Sequence, residues 1–333
     1  MTSRELDSAG ITGPARAGYL IASDLLRTKA RERGAPFPIG RLVAPHKRPY
    51  LELLFAFITY LDDIVDDRTR GAAARDRRLD RLDAAFGAAV EGEPPPAGAG
   101  TAAEDRLNGA LMTALVHFMR TWDLPIEEAR DYLRFQRGGL HRREYATYEV
   151  FEKEYLDPMA PPAIWANTFF ERRGAESDRL CRDATVSFQL IDILWDLRED
   201  LALGQLMLPL DRLASCGLDR EGVERQLERG PLSPALCDVI AAEADRAGRL
   251  LESALRWPRT VAPSVRPFVE WDIAINRLKL AELRKGALDD LIRRGVPSTA
   301  FRAAAAARTL AGIGLAAAAH RRPRPAGPPP GQE

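Results

Sequence analysis

Four aspartates crowd into residues 62–67: Asp62, Asp63, Asp66 and Asp67, separated by Ile64 and Val65 alone. A largely apolar run from Phe55 to Leu61 leads into them. On a helix, residues four apart lie one above the other, so Asp62 stacks under Asp66 and Asp63 under Asp67. Like charges stacked this way destabilise a helix unless something neutralises them. Hard divalent cations favour carboxylate oxygens and complete their shell with water and substrate phosphate. A solvated acidic face is the competing reading. Against it, Phe55, Phe57, Ile58, Leu61, Ile64 and Val65 all need burial, and an acidic face on an otherwise buried helix points to a polar cavity.

A second acidic stripe lies in residues 189–209, QLIDILWDLREDLALGQLMLP. Asp192, Asp196 and Asp200 recur every fourth residue of an apolar helical pattern, with Glu199 beside the last. Two such helices facing one another across a core can hold bridging metal ions. Those ions would take up the oxygens of a diphosphate and act as Lewis acid and template for its departure. Either stripe alone is a weak signal; the pair in one helical chain is a strong one.

With both stripes in view, the chain resembles the squalene/phytoene synthases, within the broader class of all-helical isoprenoid synthases. The resemblance runs from about Tyr19 to Arg294. It is carried by Pro45, Lys47 and Arg48 leading into Phe55–Asp67, and by Gln189, Asp196, Glu199, Asp200, Gly204 and the Leu208–Pro209 ending. It implies an all-α chain with a single isoprenoid-synthase-type helical bundle around a central apolar cavity. It also implies Mg²⁺, with Mn²⁺ as an alternative, on the two motifs to ionise an allylic prenyl diphosphate. Carried over position by position, Asp62, Asp63, Asp66, Asp196 and Asp200 are the expected catalytic carboxylates. The expected metal ligands are these five with Asp192 and Glu199, Asp67 being a helper. Arg48, Lys47 and Gln189 are the expected diphosphate contacts.

The chain also departs from the family pattern. Thr59 stands where an arginine precedes the first motif, Trp195 where an arginine precedes Asp196, and Gln205 where an arginine follows the glycine. A diphosphate needs fork-shaped cationic donors as well as metal. Retained carboxylates with three arginines missing fit one bound diphosphate better than two. The expected function is therefore a Mg²⁺-dependent prenyltransferase that passes the prenyl group to a non-diphosphate acceptor, aromatic or another small molecule, in specialised metabolism. The alternatives are head-to-head coupling of two prenyl diphosphates, cyclisation of a single substrate, and a non-catalytic lipid-binding or accessory relative. The last has little support, since a binding protein gains nothing from buried carboxylates. Arg137, Arg142, Arg143, Arg172 and Arg173 are candidates to replace the missing arginines, and His141 is a candidate proton acceptor.

Apolar periodicity supplies the elements that must position these groups. Residues 1–18 read as a flexible leader, 19–300 as the synthase-like domain, 301–319 as a terminal helix, and the proline-rich 320–333 as a disordered tail. A helix is expected from Tyr19 to Arg33, broken by Gly34–Gly40, and the first-motif helix starts near Pro49. Amphipathic helices follow over 68–89, 107–122 and 126–135, with a proline- and glycine-rich loop at 87–103. Pro158, Pro161 and Pro162 interrupt the next segment, and Trp165, Phe169 and Phe170 would reshape the prenyl tunnel and face the cation. The second-motif helix runs from Ser177 to Leu208. The last strong helix, Phe268 to Leu291, presents Trp271, Ile275, Leu278 and Leu283 to the core, with Arg277 and Lys279 elsewhere around it.

Lys plus Arg and Asp plus Glu both number 48, so net charge gives no reason to expect nucleic acid or an anionic membrane as partner. Three scattered cysteines lack zinc-like spacing, which with no charged-then-apolar leader reads as a cytoplasmic protein. Peripheral membrane contact through the alanine-rich terminal helix is a second reading of that helix.

Overall fold

The computed structural model describes residues 1–32, 39–94, 101–284, 291–292 and 297–321, and all regular structure among them is helical. The principal helices are α1 Ser3–Ser8, α2 Ala15–Glu32, α3 Arg48–Val65, α4 Ala72–Glu91, α5 Ala102–Thr121, α6 Ile126–Gly138 and α7 Pro161–Phe169. They continue as α8 Ala175–Trp195, α9 Leu197–Ala202, α10 Leu210–Ser215, α11 Arg220–Arg229, α12 Pro234–Ala254, α13 Arg266–Leu283 and α14 Thr299–Arg321.

The first-motif helix, α3, forms for reasons visible in its residues. Pro49 sits in its first turn, where a missing N–H costs nothing. Leu53, Phe57, Leu61 and Ile64 follow at helical spacing and are fully buried. The helix ends where Asp66 leaves helical geometry, its N–H still donating to Asp62 O. The second-motif helix, α8, is bound along α12, with Ser187 Oγ donating to Ala247 O at 2.8 Å. A buried polar knot fixes its start: Asn167 Nδ2 donates to Asp178 at 2.9 Å, and Trp257 Nε1 donates to Asn167 Oδ1 at 2.8 Å. On the other side of the bundle α2 and α5 are in backbone contact. A Cβ placed on Gly18 would lie 2.0 Å from Ala110 O.

Three features differ from the pattern read in the sequence. The N-terminal segment is packed: Thr2 and Glu5 form a capping box for α1, and Leu6 and Ile11 are fully buried. Their spacing follows no helical or strand period, so periodicity does not reveal them. The second-motif helix breaks at Asp196, between α8 and α9. Trp165, Phe169 and Phe170 are buried in the core at 0–1% exposure, where they pack against protein. Most of the expected break at Gly34–Gly40, much of the 87–103 loop, residues 285–290 of the last strong helix and the tail from residue 322 lie outside the described residues.

Candidate active site

Asp66 and Asp200 tie the two acidic stripes together. Burial raises the Asp66 carboxyl above its ordinary value; Arg68 and Arg75 pull it back, while Asp63 and Glu199 push it further up. Burial also pushes Asp200 up to about 7, helped by Asp196, Asp66, Glu199 and Asp192. Each stripe thus feels the charge of the other, which happens when the end of α3 faces α9 across the bundle. None of Asp66, Glu199 and Asp200 is within ion-pair distance of a cation among the described residues. Tyr155 stands between the stripes. Its hydroxyl donates to Gln189 Oε1 at 3.3 Å, and burial, then Tyr145, Asp200 and Asp62, hold it well above its ordinary value. Asp62 accepts a long hydrogen bond, 3.4 Å, from Gln136 Nε2.

The remaining acids are committed elsewhere. Asp63 pairs with Lys29 on α2 at 2.9 Å. Asp67 folds the turn after α3, accepting from Thr69 and from Arg70 at 2.9 Å. Asp192 pairs with Lys279 of α13 at 2.5 Å. This brings Lys279, read from the sequence as lying away from the core face, beside the second motif. Its spacing with Phe268, Asp272 and Ile275 was the available signal, since all four share one stripe of α13.

Lys47 and Arg48 are also placed away from the stripes. Lys47 is 2% exposed; its ammonium donates to Phe169 O at 2.7 Å, pairs with Glu171 at 2.6 Å and lies 4.2 Å from the Trp122 ring centroid. Arg48 donates to Gly40 O and Val43 O and pairs with Glu5 at 2.5 Å, tying α1 to α3. Trp195 packs on Phe301 of α14, ring centroids 5.0 Å apart. His141 is exposed on the turn after α6.

The arginines considered as replacements for the missing three, and Arg68, sort by partner. Arg137 pairs with Asp80, Arg142 with Glu154 and Arg172 with Asp178. Arg143 and Arg68 have no ion pair among the described residues. The segment carrying Arg143 is strapped to the exit of the second motif: Leu206 N donates to Arg143 O at 2.7 Å and Leu210 N to Tyr145 O at 2.9 Å.

Phe55 faces Phe268 with centroids 6.0 Å apart and Phe135 faces Tyr155 at 6.2 Å, yet Phe55, Phe135 and Tyr155 all keep accessible surface. Asp272 lies one turn along α13 from Phe268. It accepts from Asn276 Nδ2 at 3.3 Å, and burial, then Asp192, push it up to about 7 against the pull of Lys279.

The donor set fits a hard divalent cation: all carboxylate oxygens, mutually repelling and without a paired cation at Asp66, Glu199 or Asp200. Among the described residues no three acids converge closely enough to hold an ion by themselves. A cation bound here would need further oxygens from a ligand.

A family model described as squalene/phytoene synthase matches residues 32–302. Over 284 residues the chain is 28% identical to a 15-cis-phytoene synthase of a Paracoccus species, covering 83% of each protein. Over 166 residues it is 31% identical to a bifunctional protein CrtB/UppS of Streptomyces coelicolor, covering 48% of this chain and 28% of that protein. The crystal structure of squalene synthase HpnC from Alicyclobacillus acidocaldarius shares the fold, with a TM-score of 0.67 at 21% identity, covering 84% of this chain and 97% of that one.

Proposed function

Because this chain belongs to the squalene/phytoene synthase family, we propose that it ionises an allylic prenyl diphosphate at the paired stripes and joins the prenyl group to a second prenyl diphosphate. The observation that carries this reading is the mutual charge effect of Asp66, Glu199 and Asp200 across the bundle. A hard divalent cation such as Mg²⁺, when bound, supplies Lewis-acid stabilisation of the leaving diphosphate. Asp62, Asp66, Asp196, Glu199 and Asp200 are the residues that would hold it. Asp63, Asp67 and Asp192 contribute from their ion pairs by shaping the site. Gln189 and Tyr155, bonded to each other, orient the diphosphate end of the substrate. The half-buried rings of Phe55 and Phe135, packed on Phe268 and Tyr155, are the apolar groups proposed to meet the prenyl tail and keep water from the allylic cation.

A second reading keeps the same ionisation and replaces the second diphosphate by a small acceptor with a hydroxyl or amine. Two placements favour it. Lys47 and Arg48, the cations expected from the sequence to meet the diphosphate, are consumed by structural contacts. Asp272 offers a hydrogen-bond acceptor one turn along α13 from Phe268.

Products separate the two readings. Purified protein is incubated with Mg²⁺ and C5, C10, C15 or C20 allylic diphosphates, with and without aromatic acceptors, and the extracts are analysed by mass spectrometry. A doubled hydrocarbon from one diphosphate is the expected result. A prenylated acceptor without any coupled hydrocarbon would replace the first reading by the second.

A further inference from the structure

Three guanidinium groups gather at the mouth of the site. Arg75 and Arg143 are close enough to Arg68 to repel it, and Asp66 attracts it. The backbone explains how they meet. Arg68 follows Asp66 by two residues in the turn that leaves α3. Arg75, on α4, is 4% exposed; one nitrogen of its fork donates to Val65 O at the end of α3, and its Nε is buried without a hydrogen-bond partner. The turn after α6 comes down on the same helix end, where a Cβ on Gly139 would lie 3.5 Å from Val65 Cγ1. Four residues later Arg143 is held to the exit of the second motif through Leu206, and Arg220 secures the strap by donating to Gly204 O at 3.0 Å.

Like charges brought together without carboxylate partners cost free energy unless an anion joins them. The other arginines near this end, Arg137 and Arg142, are paired; Arg68 and Arg143 are not, among the described residues. Beside carboxylates suited to cations stand forked donors matched to phosphate.

We infer that Arg68 and Arg143, with Arg75 fixing the end of α3 beneath them, bind the terminal phosphate of the prenyl diphosphate. The assignment rests on the diphosphate reading of the site given above. On ionisation the bond between the allylic C1 and the diphosphate oxygen breaks, both electrons leave with the oxygen, and inorganic pyrophosphate forms beside an allylic cation. The two guanidiniums keep all their protons and donate hydrogen bonds to the departing pyrophosphate.

The test is the affinity of the full-length protein for inorganic pyrophosphate in Mg²⁺, measured by calorimetry on wild type, Arg68→Gln, Arg143→Gln and the paired control Arg137→Gln. Each of the first two variants should bind about tenfold more weakly, the loss of one charge-assisted hydrogen bond, while Arg137→Gln binds as wild type. Arg143→Lys should recover part of the loss, because a lysine offers a point charge without the fork. Circular dichroism melts confirm that each variant is folded, and Arg68, exposed in a turn, keeps the test available if Arg143→Gln unfolds. Wild-type affinity in both folded variants would overturn the assignment and leave the diphosphate reading standing. Absence of pyrophosphate binding by wild type would overturn both. Inorganic phosphate binding as tightly as pyrophosphate would mark a general anion patch and also overturn it.

Discussion

Asp272 shows how a single residue records the character of its surroundings. Its carboxyl is held up to about 7 chiefly by burial, with Asp192 adding to the shift. A carboxyl raised in the folded state contributes stability that is fully present below its unfolded value, about 4, and is lost as pH rises through 7. Asp272→Asn removes this dependence. Thermal melts of the variant should therefore exceed wild type at pH 8, with the advantage shrinking by pH 5; a constant difference across that range would contradict the buried placement. Lys47 makes the opposite case, a charge that looked functional by position and is structural by contact. Lys47→Met should destabilise the fold by about 2 kcal/mol, through the hydrogen bond left unmade at Phe169 O and the unpaired Glu171. Denaturant titration gives that number, and pyrophosphate affinity should not change with it.

At the scale of elements, the motifs and their helices were legible because they are local. The apolar period of α3 and the four-residue recurrence of Asp192, Asp196 and Asp200 depend on neighbours within two turns. What the sequence hid is made of contacts between distant residues: Lys279 meets Asp192 across 87 positions, and the strap at 143–146 is held by backbone bonds to 206–211, which carry no side-chain signature. The packed N-terminus escaped for a related reason, since its segment is tied to α3 through Arg48–Glu5 and the Tyr50 hydroxyl on Ala9 O. Gly18 is a further instance. It looks like a weak point in a helix and is the contact that lets α2 reach α5, so Gly18→Ala should cost about 1–3 kcal/mol by forcing the helices apart. A neutral or stabilising effect in a denaturant titration would mean that the helices are not in backbone contact there.

For the whole molecule, the bundle brings two acidic helix ends to one mouth above an apolar interior. Among the described residues no helix is long and apolar enough to cross a membrane. The family and the all-α fold are shown by the match over residues 32–302 and by the shared architecture. The three absent arginines led the sequence reading toward one bound diphosphate, whereas the relatives favour coupling of two; Arg68 and Arg143 are local cations that spacing could not bring together. If the carboxylates bind metal only with a diphosphate, Mg²⁺ and pyrophosphate together should raise the melting temperature more than the sum of each alone, in line with mass-action stabilisation. The most direct measurement is Mg²⁺-dependent pyrophosphate release from allylic prenyl diphosphates by wild type and by Asp66→Asn and Asp200→Asn. Wild type should release pyrophosphate, and each variant should fall at least about a hundredfold, the scale of losing several kcal/mol of charge stabilisation, with the helical spectrum unchanged. Release at the wild-type rate in both folded variants would contradict the claim that the two stripes act as one site.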